Sequence, residues 1–181
     1  IEQDIGHIVL TIDKNIQEKA EKVLNNAVDK YKLRKGAKAV MIDTTTGEVL
    51  AMVSKPGLET DNTSNNNVVS YTFKPGSSIK AITACAALNE TIVTQDELFN
   101  CKGSYEVDNY NLQCWKPTGH GQQTLAEGIR NGCSIVAINL AERLEYTKFN
   151  TYIRQFGFGE KTGIQLTGES EGIYFQSDDQ M

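Results

Sequence analysis

Between Tyr71 and Leu88 the chain reads YTFKPGSSIKAITACAAL, and this stretch limits the fold more than any other. Lys74-Pro75-Gly76 does not sit inside a helix, because proline lacks an amide donor and glycine costs backbone entropy. The residues from Ser77 to Leu88 are small, apolar and helix-compatible, so a buried helix is expected with Ser77 at its N-terminus. Lys80 follows one turn later on the same face. It is the only charge from Gly76 to Leu88. A lysine on a buried helix is costly unless partnered, and desolvation lowers its pKa toward what a base needs. Two readings stay open: Ser77 caps the helix and Lys80 is a solvated charge, or Ser77 is a nucleophile and Lys80 its general base.

The remaining composition narrows the class. The chain has 181 residues, 39% of them hydrophobic, enough for one globular domain with a core. Its net charge is −5 and it has no lysine or arginine cluster, which argues against a nucleic-acid partner. No apolar run approaches the roughly 18 residues of a membrane span, and the polar start IEQDIGH has no leader-like character, suggesting a cut or processed fragment. The two histidines, His7 and His120, are too few and too scattered for a zinc site, so neither metal nor cofactor is expected.

Along the chain, Ile8–Ile12 reads as a short strand, and Asp13 caps a helix running to about Leu33. Its inner face carries Ile16, Ala20, Leu24, Ala27, Val28 and Tyr31. Residues 39–53 read as a β-hairpin with Gly47 in the turn and largely buried strands. The polar stretch from Pro56 to Asn67 reads as a mobile loop. Cys101–Gly121 is irregular or a small hairpin, Thr124–Leu144 a long amphipathic helix, and Lys148–Gln155 a shorter one.

These segments, in order from residue 8 to about 173, resemble the transpeptidase domain of the penicillin-binding proteins, most of all the monofunctional class B branch. The resemblance rests on Leu10-Thr11-Ile12-Asp13, Thr46-Gly47-Glu48-Val49-Leu50-Ala51-Met52, Phe73 through Lys80, His120-Gly121, and the glycine turns from Phe156 to Glu169. It implies an α/β serine β-lactamase/penicillin-binding transpeptidase-like fold. On this resemblance the fold is expected to be incomplete, with residues 1–181 as a single partial domain that lacks the membrane anchor, pedestal domain and C-terminal strands. It also implies acyl transfer from a D-Ala-D-Ala stem peptide through a Ser77 acyl-enzyme, with Lys80 as base. β-Lactams and peptidoglycan stem peptides are the implied ligands, and other cell-wall synthesis proteins the implied partners. The implied location is the extracytoplasmic face of a bacterial membrane.

The family's three motifs are Ser-x-x-Lys, Ser-x-Asn and Lys-Thr/Ser-Gly. In register with the long helix the second falls on Gly132-Cys133-Ser134, where Gly132 lacks the hydroxyl that would hold Lys80. A slide by two residues would read Ser134-Ile135-Val136, as in class D β-lactamases, but turns the apolar stripe by about 200°. The leading reading is therefore a transpeptidase fragment. The alternatives are a catalytically impaired scaffold in cell-wall assembly and a class D-like β-lactamase or β-lactam sensor. Lys161-Thr162-Gly163 spells the third motif but lies among turns, and is expected to be structural. Cys101 and Cys114 bracket a segment with little core of its own. They are expected either as a disulfide or as two small buried thiols. Cys85 and Cys133, on predicted helices, are expected to stay reduced.

Overall fold

The computed structural model describes residues 7–55 and 66–174. The loop expected from Pro56 to Asn67 falls largely outside these residues. The chain forms two compact units, one of residues up to Thr72 together with Gly163–Ser170, the other of Phe73–Thr162 with the residues from Glu171.

In the first unit, helix α1 (Lys14–Tyr31) starts where expected, with the Asp13 carboxylate accepting from the Ile16 N–H at 2.9 Å. It ends at Lys32, whose left-handed backbone (φ 49°) lets its N–H bond to Val28 O. Strands β1 (Ala37–Ile42) and β2 (Val49–Lys55) form an antiparallel hairpin, pairing Ala37 with Lys55 and Met41 with Ala51. Asp43 organises its turn by accepting the Thr45 N–H at 2.7 Å, and Gly47 takes the positive φ of 78°. Helix α1 docks on β2 through Gln17, whose carboxamide accepts from Met52 N at 2.9 Å and donates to Met52 O at 3.1 Å. One side chain thus plays the part of a neighbouring strand. Helix α2 (Asn67–Ser70) is capped by Asn66, and Ser170 bonds back to it through Val69 O and Ser70 O.

Two expectations fail here. Ile8–Ile12 is not a strand: Ile8, Val9 and Leu10 are exposed, and the segment reaches β2 through Thr11 Oγ1 and the Asp13 N–H, too few bonds for a ladder. The hairpin is also not buried on both strands. Ala51 and Val53 of β2 lie under α1, while Val40, Met41 and Ile42 of β1 stay exposed, since α1 packs mainly on β2 and little on β1.

The second unit begins with a 3-10 turn (Gly76–Ser78) that runs into helix α3 (Ile79–Asn89). Strand β3 (Leu98–Cys101) pairs antiparallel with β6 (Gly121–Thr124). Between them β4 (Ser104–Val107) and β5 (Tyr110–Gln113) form the small hairpin that the glycine- and asparagine-rich segment suggested. Helix α4 (Leu125–Arg130) opens with a capping box in which Thr124 and Glu127 satisfy each other's backbone N–H. Helix α5 (Ser134–Gln155) carries the predicted stripe, with Val136, Leu140 and Leu144 fully buried against Ala84, Ala86 and Ala87 of α3. What reads in sequence as one helix from Thr124 is two, broken at residues 131–133. A second interruption at Glu145 (φ 58°, ψ 160°) accounts for the separate helix expected from Lys148. Among the described residues no helix is long and apolar enough to cross a membrane.

The C-terminal end of α3 is tied to the far half of α5 by polar contacts. Tyr152 donates to Glu90 Oε1 at 2.8 Å, and Lys148 Nζ lies 3.2 Å from Glu90 Oε2. The Tyr152 hydroxyl and then the Lys148 ammonium hold the Glu90 carboxyl below its ordinary range. A carboxyl lowered in the folded state adds stability above its unfolded pKa, which is lost as pH falls through its folded pKa. Tyr152→Phe is accordingly expected to lower Tm at neutral pH, with the gap to the parent closing below about pH 4. Thermal melts of both proteins from pH 7 to pH 3 measure it.

Candidate active site

Ser77 lies in the 3-10 turn ahead of α3, where Gly76 takes φ 57° and turns the chain into the helix. The Ser77 hydroxyl caps nothing: neither the turn nor α3 has a side-chain cap bond, and the residue is exposed. The capping role considered for it is therefore unfilled.

Lys80 is half-buried one turn further along, and its ammonium donates to Gly132 O at 2.9 Å and to Ser134 Oγ at 3.0 Å. The sequence reading left Lys80 short of a partner because Gly132 has no hydroxyl. The fold supplies two acceptors instead, a carbonyl from Gly132 and a hydroxyl from Ser134. The reason lies in the break between α4 and α5. Cys133 N bonds to Gly128 O at 2.9 Å and Gly132 N to Ile129 O at 3.0 Å, the paired bonds of a Schellman motif with Gly132 in the left-handed position (φ 59°). Helix α5 then starts afresh at Ser134, so its first hydroxyl reaches Lys80 while Val136, Leu140 and Leu144 keep their place in the core. The conflict between register and stripe that weighed against a role for Ser134 does not arise. A hydroxyl can accept from an ammonium or donate to a neutral amine, so Ser134 serves both protonation states of Lys80; the Gly132 carbonyl only accepts.

Lys161 is exposed and lies outside any strand. Cys101 and Cys114 are buried free thiols, and they are not alone. His120 and Cys133 stand with them, and one ligand atom from each of the four lies within 4.8 Å of every other. The histidine that looked too remote for a metal site is brought in by the crossing of two loops. A Cβ on Gly103 would come 1.9 Å from Pro117 O, and one on Gly119 would come 2.1 Å from Cys101 O. Only glycine allows backbones to pass so closely. Burial raises the Cys133 thiol above its ordinary range. Cys114 is also pushed up by burial, but the Lys116 and Ser134 N–H groups and the neighbouring thiols outweigh this and leave it lowered. The sequence carried one signal of the group, its regular spacing: twelve, five and twelve residues separate Cys101, Cys114, His120 and Cys133.

Ser134→Ala should leave the Lys80 ammonium with a single acceptor and destabilise the protein by about 1.5 kcal/mol, the worth of a hydrogen bond to a charged group. Gly132→Ser, which restores a family-like serine, should also destabilise, by about 1–2 kcal/mol, because it forces a Cβ into left-handed backbone. Denaturant melts of the two variants test both values.

Known proteins resemble this chain in sequence and in overall fold. Residues 37–180 match the penicillin binding protein transpeptidase domain. The chain is 42% identical to stage V sporulation protein D of Bacillus subtilis, over 92% of this chain and 27% of that protein. It is 33% identical to the peptidoglycan D,D-transpeptidase MrdA of Acinetobacter baumannii, over 78% of this chain and 24% of the relative. Among solved structures, a peptidoglycan glycosyltransferase from Burkholderia ambifaria superposes with a TM-score of 0.83 at 28% identity, covering 92% of this chain and 50% of that one. The ampicillin complex of penicillin binding protein 3 from Mycobacterium tuberculosis gives 0.81 at 27% identity, covering 98% and 42%. The chain thus spans about a quarter of the length of these curated relatives.

Proposed function

The chain belongs to the penicillin-binding protein transpeptidase family, and we propose from this that it is the nucleophile-bearing part of a peptidoglycan D,D-transpeptidase. In this reading residues 1–181 belong to one partial transpeptidase domain. The observation that carries it is that Lys80, one turn after the exposed Ser77, is held on Gly132 O and Ser134 Oγ.

Ser77 Oγ attacks the carbonyl carbon of the penultimate D-Ala of a stem peptide, and its proton passes to the neutral Lys80 amine. The tetrahedral intermediate collapses, the peptide C–N bond breaks, and the terminal D-Ala leaves with a proton returned from Lys80. An amine of a neighbouring stem then attacks the ester, freeing Ser77 and forming the cross-link. A β-lactam carbonyl offers the same electrophile, and its opened ring remains attached. Ser134, bonded to Lys80 in either protonation state, is the positioning residue for the proton transfers. The protein acts at the extracytoplasmic face of the cell membrane, with other cell-wall synthesis proteins as partners.

One observation favours a second reading. Gly132 is committed to the Schellman turn and offers Lys80 only a backbone carbonyl where the family pattern has a serine hydroxyl. A catalytically impaired scaffold in cell-wall assembly would look like this.

The two readings part on acylation. A protein carrying this chain within the full length of its relatives should be labelled by a fluorescent penicillin, with the adduct mapped to the Ser77 peptide by mass spectrometry and absent from Ser77→Ala. Absence of label on the long form, or equal labelling of Ser77→Ala, would overturn the assignment.

A further inference from the structure

Helix α3 has an exposed track that leads away from Ser77. Four and eight residues past Ser77 stand Ala81 and Cys85, both exposed, followed by the exposed Leu88 and Asn89. Side chains at that spacing share one side of a helix, and none of these carries a charge. At its far end the track opens into a concavity of about 350 Å³ between the ends of α3 and α5, lined by Cys85, Asn89, Tyr152, Gln155 and Phe156. Tyr152 is half-buried and the other four are exposed, so this is a groove open to solvent.

The walls of the groove are held in place. Asn89 Nδ2 donates to the Tyr152 hydroxyl at 2.6 Å, and that hydroxyl donates in turn to Glu90 Oε1 at 2.8 Å. Among the described residues, Asn89 Oδ1 and the Gln155 carboxamide carry no hydrogen bond. Phe156 closes α5: its N–H bonds to Tyr152 O at 2.9 Å and Gly157 turns the chain behind it at φ 80°, so a ring 54% exposed stands on a fixed backbone. Behind the groove, Glu90 and Lys148 are paired with each other at 3.2 Å. A fixed aromatic face beside two carboxamides, with no formal charge in the lining, suits an uncharged ligand that has an apolar ring face and amide or hydroxyl groups.

We propose that this groove binds the glycan strand of the substrate, with the C–H face of an N-acetylated hexosamine on Phe156 and its N-acetyl amide on Asn89 and Gln155. The glycan backbone is uncharged once its lactyl carboxyls are taken up in the amide links to the stems. A free stem peptide, an anionic lipid headgroup and a nucleic acid all bear charges that this lining would leave unmatched. An open groove also lets a polymer pass through, which an enclosed pocket would not. The distance to Ser77 fits as well. Cys85 and Asn89 lie about 12 and 18 Å along the helix from Ser77 at about 1.5 Å per residue. A stem of about four or five residues, extended at about 3.3–3.6 Å each, spans about 13–18 Å. A sugar in the groove therefore delivers the end of its own stem to Ser77, past Ala81 and Cys85, whose small side chains leave the track clear. The choice of glycan rests on the transpeptidase reading of Ser77, whereas the groove and its lining do not.

The test uses the long form, a protein carrying this chain within the full length of its relatives, and a neutral probe, the N-acetylglucosamine tetramer of chitin. Cys85 is the exposed cysteine of the four, so its alkylation by iodoacetamide, mapped by peptide mass spectrometry, reports whether the groove is occupied. Tetramer at about ten times its Kd should slow that alkylation about tenfold. The cellulose tetramer, which lacks the N-acetyl groups, and a free stem pentapeptide should give no protection. Asn89→Ala and Phe156→Ala should each raise the tetramer Kd about tenfold by calorimetry, the size of one lost ligand contact. Phe156→Tyr should bind like the parent, which separates loss of the stacking face from loss of folding. Alkylation of Cys85 by a bulky maleimide, with no change of sequence, should abolish binding. Cys85 unreactive in the long form, tetramer bound without protecting Cys85, equal protection by the stem peptide or the cellulose tetramer, or full affinity in Phe156→Ala would each overturn the groove. None of these readouts involves Ser77. Penicillin labelling at Ser77 without sugar protection strikes the groove alone, and sugar protection without labelling strikes the transpeptidase reading alone, so the two failures are distinguishable.

Discussion

The Lys80 ammonium, bonded to Gly132 O and Ser134 Oγ, joins two segments more than fifty residues apart. A half-buried cation must find acceptors, and an unpaired one would cost more than the pairing returns. That requirement connects the start of α3 with the α4–α5 break. The small side chains of α3 let α5 approach closely enough for a lysine to reach across. Ala84, Ala86 and Ala87 lie against Val136, Leu140 and Leu144, all deep in the core. Larger residues on α3 would push α5 away and leave the ammonium short of its acceptors.

The break itself is a backbone solution. A continuous helix through residues 131–133 would carry Gly132 and Ser134 around the axis and bury their polar groups in other directions. The Schellman turn ends α4, satisfies its last carbonyls and frees the Gly132 carbonyl for Lys80. The loop crossing at Gly103 and Gly119 brings Cys101 and Cys114 against the same turn from the other side. Both acceptors of the proposed catalytic lysine therefore lie in one short segment, residues 131–134, with Cys133 between them.

The first unit follows simpler physics. Its helix has a capping aspartate that took the expected role; of the expected apolar face Val28 is buried, Ile16, Ala20, Leu24 and Ala27 are half-buried, and Tyr31, at the last turn, is exposed. Its sheet was less readable. Val40, Met41 and Ile42 have the composition of buried strand but are exposed, because burial depends on what covers a strand and not on its own residues. Ile8–Ile12 shows the same limit: β-branched residues permit a strand, but a partner must supply the ladder.

From the amino-acid order alone one can read the family, the α1 cap, the hairpin, the Pro-Gly entry before Ser77, and Ser77 and Lys80 as neighbours on one face. These depend on local steric preference and on spacing within a single element, which are properties of contiguous residues. Which groups receive Lys80, why Gly132 stands where a serine was expected, and how His120 comes to join three cysteines were decided only by tertiary structure. Each depends on where separate elements cross, and the free energy of crossing is spread over residues far apart in the chain. A reading of spacing judged His120 isolated because it measured distance along the sequence. Two glycines that allow backbones to pass at contact distance made it a neighbour.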